Sequence, residues 1–155
     1  MSKEIIKNIE EMDSWASSFV FNLLADDKKA LIIGLYGDLG SGKTTFVQSV
    51  AKVFGVKKNI TSPTFVIQKK YQLVSNKFFE NLIHIDAYRL EDGEDLSNFD
   101  WKESINNPKN IIFIEWPEKI YPVLSKNGTG VKKILPRKTC FIKLKYLGKN
   151  KRLIN

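Results

Sequence analysis

The run Gly37-Asp38-Leu39-Gly40-Ser41-Gly42-Lys43-Thr44-Thr45 gathers residue types suited to one task, holding a polyphosphate. Glycines at 37, 40 and 42 let a loop turn so that successive backbone N–H groups point inward, and a helix starting after the loop adds the positive end of its dipole. Lys43 can reach the β- and γ-phosphates, and the Thr44 hydroxyl can ligate magnesium. The order Gly, four residues, Gly-Lys and then Thr is the Walker A pattern, and a chance match somewhere in a chain of this size has a probability on the order of half a percent. The expected ligands are ATP and Mg2+, with Gly37 through Thr45 as the nucleotide-binding residues and Lys43 also acting in catalysis.

ATP chemistry also needs an acid near the metal, placed where the C-terminal ends of parallel strands face the ligand crevice. Two carboxylates end apolar runs: Glu115 closes IIFIE and Asp86 closes LIHID. Glu115 is expected beside the metal with Thr44. Asp86 is expected to orient water or the metal's hydration shell. A carboxylate at a strand end can also cap a helix or face solvent, and the phosphate loop is what tips both readings toward function. His84, the one histidine, reads as a strand-face residue rather than a ligand or base.

The elements that must position these residues follow from periodicity. Ala30–Tyr36 and Asn110–Glu115 are short apolar runs, the signature of central strands buried on both faces. Phe46, Val47, Val50, Ala51 and Phe54 recur at helical spacing, with Gly55 placed for a left-handed C-cap. The phosphate loop therefore lies between a strand and a helix. Upstream, residues 4–9 read as a strand, and Trp15 through Leu24 as an amphipathic helix with Asp13 and Ser14 as possible caps. Two extended runs separated by Ser75 and Asn76 suggest a hairpin, and the acidic stretch 91–100 a short helix. Residues 121–136 read as a loop-rich connection. Ile142, Leu144 and Tyr146 alternate with lysines, which suggests a half-buried peripheral strand.

Composition bounds the rest. At 155 residues and 43% hydrophobic content, one domain spanning 1–155 is expected. No apolar run is long enough to span a bilayer, and the N-terminus is charged from its third residue, which points to a cytoplasmic protein. A single cysteine, Cys140, excludes an internal disulfide and a multi-thiolate zinc cage. The net charge of +8 is uneven, because ten Lys or Arg and no acid fall in residues 126–155. Such a segment could meet tRNA or another polyanion, and it could equally be a solvated strand face.

Taken together, YGDLGSGKTTF from Tyr36, SPTF from Ser62, HIDAYRL from His84 and IEWP from Ile114 resemble the TsaE family in content and order. The resemblance implies a P-loop NTPase fold of the α/β class, with a mixed, mainly parallel sheet flanked by helices. It also implies an ATPase of bacterial tRNA threonylcarbamoyladenosine synthesis that works with TsaB and TsaD proteins. By the same likeness, Thr44 and Glu115 correspond to the magnesium ligands, Asp86 to the aspartate needed for turnover, and Trp116 to a tryptophan close to the nucleotide. Ser62, Thr64, Tyr88 and Arg89 fall in segments that behave as switches. Ser14 is the nearest counterpart of a nucleotide-approaching threonine near the first helix, and Arg152 fits loosely a Gly-x-x-Arg turn near the nucleotide. Arg137 and Lys138 stand where the family pattern would place acids. The rival reading is a small-molecule kinase on the same fold, but three arginines and no lid-like insertion between the motifs leave it little to close over a phosphoryl donor. A guanine-specific Asn-Lys-x-Asp motif is missing.

Overall fold

Seven strands and three helices position the loop in this computed structural model, which describes residues 3–23, 28–57, 60–74, 76–90, 101–120 and 139–155. The strands are β1 (Glu4–Ile6), β2 (Leu31–Tyr36), β3 (Gln68–Gln72), β4 (Asn81–Asp86), β5 (Asn110–Glu115), β6 (Thr139–Gly148) and β7 (Lys151–Ile154). The helices are α1 (Ile9–Phe21), α2 (Lys43–Val53) and α3 (Trp101–Asn106). The sheet order is β1-β7-β6-β2-β5-β4-β3. Its middle four strands, β6-β2-β5-β4, are mutually parallel, and antiparallel strands flank them on both sides.

Side-chain alternation divides the sheet into two faces. Ile33, Leu35, Leu82, Ile111, Phe113, Ile142, Leu144 and Ile154 pack beneath α1 and α2. Phe46 of α2 joins Trp15 and Phe19 of α1 to Phe113 of β5, with ring centroids 4.8, 5.3 and 6.1 Å away respectively. The opposite face carries Ile32, Ile83, Ile85, Ile112 and Ile114 against Trp101 and Ile105 of α3 and against Ile120. Helix α2 ends in a Schellman motif. Gly55 adopts φ +76°, its N–H bonds to the Lys52 carbonyl, and the Val56 N–H reaches the Ala51 carbonyl.

Several expectations need correcting. Helix α1 begins at Ile9, so the first strand stops at Ile6. Asn8 is its N-cap: the Asn8 side chain accepts from the Glu11 N–H at 2.8 Å, and Glu11 Oε2 accepts from the Lys7 N–H at 2.8 Å. Asp13 and Ser14 stand inside the helix and cap nothing. The hairpin exists, with Gln72 opposite Asn81, but its connection covers residues 73–80 instead of two. β6 is not peripheral, because its first half pairs with β2 and its second half with β7. The short helix expected within 91–100 and the loop-rich connection at 121–136, with Arg137 and Lys138 after it, lie outside the described residues. No helix among the described residues is long and apolar enough to cross a membrane.

Candidate nucleotide site

The loop after β2 is shaped by three glycines in the positive-φ region, at +143° for Gly37, +75° for Gly40 and +101° for Gly42. At two of them a side chain has no room. A Cβ on Gly37 would sit 2.2 Å from the Leu144 carbonyl oxygen of β6, and one on Gly42 would sit 2.7 Å from Arg152 Nε. Glycines of this kind let a loop curl into a concavity that backbone N–H groups can line. The first bond of α2 runs from the Phe46 N–H to the Gly42 carbonyl at 2.9 Å, so the N–H groups of Lys43, Thr44 and Thr45 precede the helical ladder. Such a cradle suits a phosphate. The buried Ser41 hydroxyl has no partner within it. Asp38, Leu39 and Gly40 form the exposed tip.

Lys43 is only 4% exposed, and its ammonium folds back onto its own loop. It donates to the Gly37 carbonyl at 2.7 Å and the Asp38 carbonyl at 3.0 Å, and lies 4.1 Å from the centroid of the Trp116 ring. Burial holds its pKa below the usual lysine value, opposed by the charges of Glu115, Asp86, Glu118 and Asp38. Those four carboxylates are what keep an ammonium tolerable in a desolvated place.

The two acids stand side by side. Asp86 and Glu115 are register partners at the ends of the adjacent parallel strands β4 and β5, and both point to the α2 face, as Leu82 and Phe113 do. Thr44 Oγ1 donates to Glu115 Oε1 at 2.7 Å. His84 Nε2 bonds the same oxygen at 2.8 Å. Asp86 is held by the segment that follows Ile60: Ser62 Oγ donates to Asp86 Oδ2 at 2.9 Å, and Thr64 Oγ1 makes a short bond to the same oxygen. Its other oxygen accepts from the Tyr88 N–H at 3.0 Å. Ser62, Thr64 and Asp86 thus form one cluster, with Tyr88 closing it.

Around this centre, Trp116 takes a left-handed conformation at φ 57° and ψ 51°, and its ring centroid lies 5.3 Å from that of Tyr88. Arg89 stacks on Phe65, its guanidinium carbon 4.3 Å from the ring centroid, although Phe65 is 83% exposed. Arg152 reaches the loop over Gly42 with its Nε buried and unpartnered, while its Nη1 donates to the Asn150 carbonyl at 3.0 Å. Ser14 is not brought to the site. It lies exposed on α1, beside Asp13, which pairs with Lys52 in the last turn of α2, at the end of that helix away from the loop. His84 is the site residue that sequence reasoning missed. A histidine in a strand buried on both faces must find a polar partner, and that was the available signal.

Hard oxygen donors, the Thr44 hydroxyl and the Glu115 carboxylate, suit magnesium, which keeps waters and phosphate oxygens about it instead of filling an all-protein cage.

Residues 6–153 match the family described as threonylcarbamoyl adenosine biosynthesis protein TsaE. A tRNA threonylcarbamoyladenosine biosynthesis protein TsaE from Rickettsia prowazekii is 36% identical over 145 residues, covering 93% of this chain and 86% of the relative. The protein of that name from Aquifex aeolicus is 38% identical over 122 residues, covering 77% and 80%. Among solved structures, Bacillus subtilis YdiB superposes with a TM-score of 0.64 at 25% identity, covering 99% of this chain and 82% of that one. With its phosphate loop between β2 and α2, its paired strand-end acids and a sequence match over nearly its whole length, the chain belongs to the TsaE family of tRNA threonylcarbamoyladenosine biosynthesis.

Proposed function

We propose that this chain binds ATP with magnesium on the Gly37–Thr45 loop and hydrolyses it, and that turnover resets or regulates a complex with TsaB and TsaD proteins in the cytoplasm. The chemistry on tRNA is then done by those partners. The observation that carries this reading is the 2.7 Å bond between Thr44 and Glu115, made beside the buried Lys43 ammonium. Two elements far apart in sequence, the start of α2 and the end of β5, meet there with one cation and two hard oxygen donors, the set that magnesium and a polyphosphate require.

Thr44 and Glu115 would hold magnesium, which when bound supplies charge neutralisation at the β- and γ-phosphates. Each remaining role belongs to the chain. Loop N–H groups bind and orient the phosphates, Lys43 supplies positive charge where charge develops, and the Trp116 ring excludes water from its side. Asp86 orients the attacking water. In this structure its carboxylate is tied to Ser62 and Thr64, so the turnover acid and the SPTF segment change state together. A γ-phosphate competing for those hydroxyls is a physical basis for a switch. Exposed Phe65 and Tyr88, with Arg89 stacked on Phe65, offer partners a surface that reports that state.

Calorimetric titration tests the reading. The wild-type protein should bind ATP in a magnesium-dependent manner, and folded Lys43→Ala should bind it at least about 10-fold more weakly. Phosphate release measured with and without TsaB and TsaD then separates a partner-stimulated ATPase from a binding module. Unchanged ATP affinity in the variant would remove the proposal.

A further inference from the structure

We infer that His84 is a positioning residue that fixes the Glu115 carboxylate for the metal, an inference that rests on the magnesium-ATP reading above. His84 is fully buried, in the middle of β4. Its strand places it on the α2 face, between Leu82 and Asp86 and opposite Phe113, one diagonal step from Glu115. From there Nε2 meets Glu115 Oε1 at 2.8 Å. An ionised carboxylate only accepts, so the ring nitrogen is the donor in that bond.

Two donors therefore converge on one oxygen: Thr44 from the start of α2 and His84 from β4. Oε2 takes neither of these bonds. A carboxylate hydrogen-bonded at one oxygen by a buried ring cannot rotate without breaking that bond, and its orientation persists when the Thr44 hydroxyl turns to a metal. Outer partners of this kind orient metal-binding carboxylates and tune their affinity. The alternative is a histidine that merely fills space. Against it stands the second ring nitrogen, Nδ1, which is buried and has no partner. An unpaired buried polar atom costs stability that an apolar ring of similar size would not. Packing alone gives no reason for histidine here, whereas the bond to Glu115 does.

The experiment compares His84→Phe, which keeps ring and volume but removes the donor, with His84→Gln, whose amide nitrogen can reach the place of Nε2. Affinity for Mn2+ is read by electron paramagnetic resonance of the free ion in the presence of a non-hydrolysable ATP analogue. Affinity for the same analogue is also measured in excess chelator, and thermal melting monitors the fold. His84→Phe should bind Mn2+ about 10- to 100-fold more weakly. Its metal-free nucleotide affinity should stay within about twofold, it should still melt cooperatively, since relief of the unpaired Nδ1 offsets part of the lost bond to Glu115, and Gln should restore most of the lost Mn2+ affinity. Wild-type Mn2+ affinity in His84→Phe would overturn the inference while leaving the ATP reading intact. Equal loss of metal-free nucleotide binding would also overturn it, as packing alone. If His84→Phe does not fold, His84→Gln against the shorter His84→Asn decides, and equal Mn2+ affinity in those two refutes the role. A wild-type protein that binds neither analogue nor Mn2+ would refute the parent proposal itself.

Discussion

Replacing Lys43 by Met separates what this lysine does for the fold from what it does for the nucleotide. Methionine keeps the aliphatic stem and its packing beside Trp116 but removes the ammonium and its bonds to the Gly37 and Asp38 carbonyls. Burial is the first cause of the lysine's lowered pKa, so the charged form costs the folded state free energy despite those bonds. Gly37 is half-buried and Asp38 exposed, so water can take over the freed carbonyls. The nucleotide-free variant should melt within about 2 °C of the wild type, or higher. With magnesium ATP at 100 times its dissociation constant, the wild type should gain about 2.7 kcal/mol. For a chain of this size that is roughly 5–11 °C. One lost charge-assisted bond to phosphate, about 1.5–3 kcal/mol, weakens binding roughly 10- to 150-fold. At the same ATP concentration the variant should then gain about 1.4 kcal/mol or less, half the wild-type shift at most. Scanning calorimetry with and without ligand measures both quantities. A variant that melts far below the wild type without nucleotide, or that keeps the full ligand shift, would refute the reasoning. The sign with pH follows as well. The folded-state pKa lies below the unfolded value, so the cost of Lys43 is present below its folded pKa and fades as pH rises toward 10.5. The advantage of Lys43→Met should shrink over that window.

Gly37→Ala should cost more than Gly40→Ala, because a Cβ at 37 meets the Leu144 carbonyl at 2.2 Å while one at 40 meets nothing within 4 Å. Both bear the left-handed strain of about 1–2 kcal/mol, and Gly37→Ala adds about 1–3 kcal/mol of overpacking, readable by urea denaturation. Glu115→Ala should weaken magnesium-dependent ATP affinity, whereas Asp86→Ala should impair turnover more than binding, as separate titration and phosphate-release assays would show. Thr64→Ala and Arg89→Ala should reduce the difference in TsaB–TsaD affinity between analogue-bound and nucleotide-free protein more than they reduce ATP binding, measured by titrating purified partners.

The centre of the fold was legible because its chemistry is local. β2 and β5 are buried on both faces and read as continuous apolar runs, and α2 carries its loop before it and Gly55 after it. Most of what escaped depended on pairing between elements. β7 is only four residues, two of them cationic, and becomes a strand because β6 and β1 offer it edges on both sides. β6 carries lysines at alternate positions, a pattern that suggests an edge, yet hydrogen bonding and side-chain exposure are separate properties of a strand. Lys143 and Lys145 are exposed while the backbone between Thr139 and Gly148 is paired first on one side and then on the other. The Asn8 cap did carry a local signal, Glu11 three residues on, but the apolar residues Ile5, Ile6 and Ile9 around it also read as a continuing strand. Asp86 was found as an acid, but its attachment to Ser62 and Thr64 spans 24 and 22 residues and has no local signal.

Trp116 explains why Glu115 stands where it does. β5 must stop at Glu115 for that carboxylate to emerge at the sheet's edge next to α2, and the chain stops by turning into the left-handed region at the following residue. For a tryptophan that conformation costs about 1–3 kcal/mol, and surrounding bonds must over-determine it. They do so from both sides. The Trp116 N–H reaches the Leu35 carbonyl of β2 at 3.2 Å, and the Glu115 carbonyl accepts from the Ala87 N–H after β4 at 3.0 Å. The peptide carrying the acid is thereby anchored to the strand before the phosphate loop and to the segment after Asp86. Pro117 then starts a 3₁₀ turn with its fixed φ, so the chain leaves the sheet at once. The turned ring lands over the Lys43 ammonium and beside Tyr88. One strained residue thus sets the direction of the acid, covers the cation and touches the segment proposed to respond to nucleotide. A glycine at 116 would relieve the strain and take the φ without cost, but it would leave Lys43 uncovered and the Tyr88 ring without its partner.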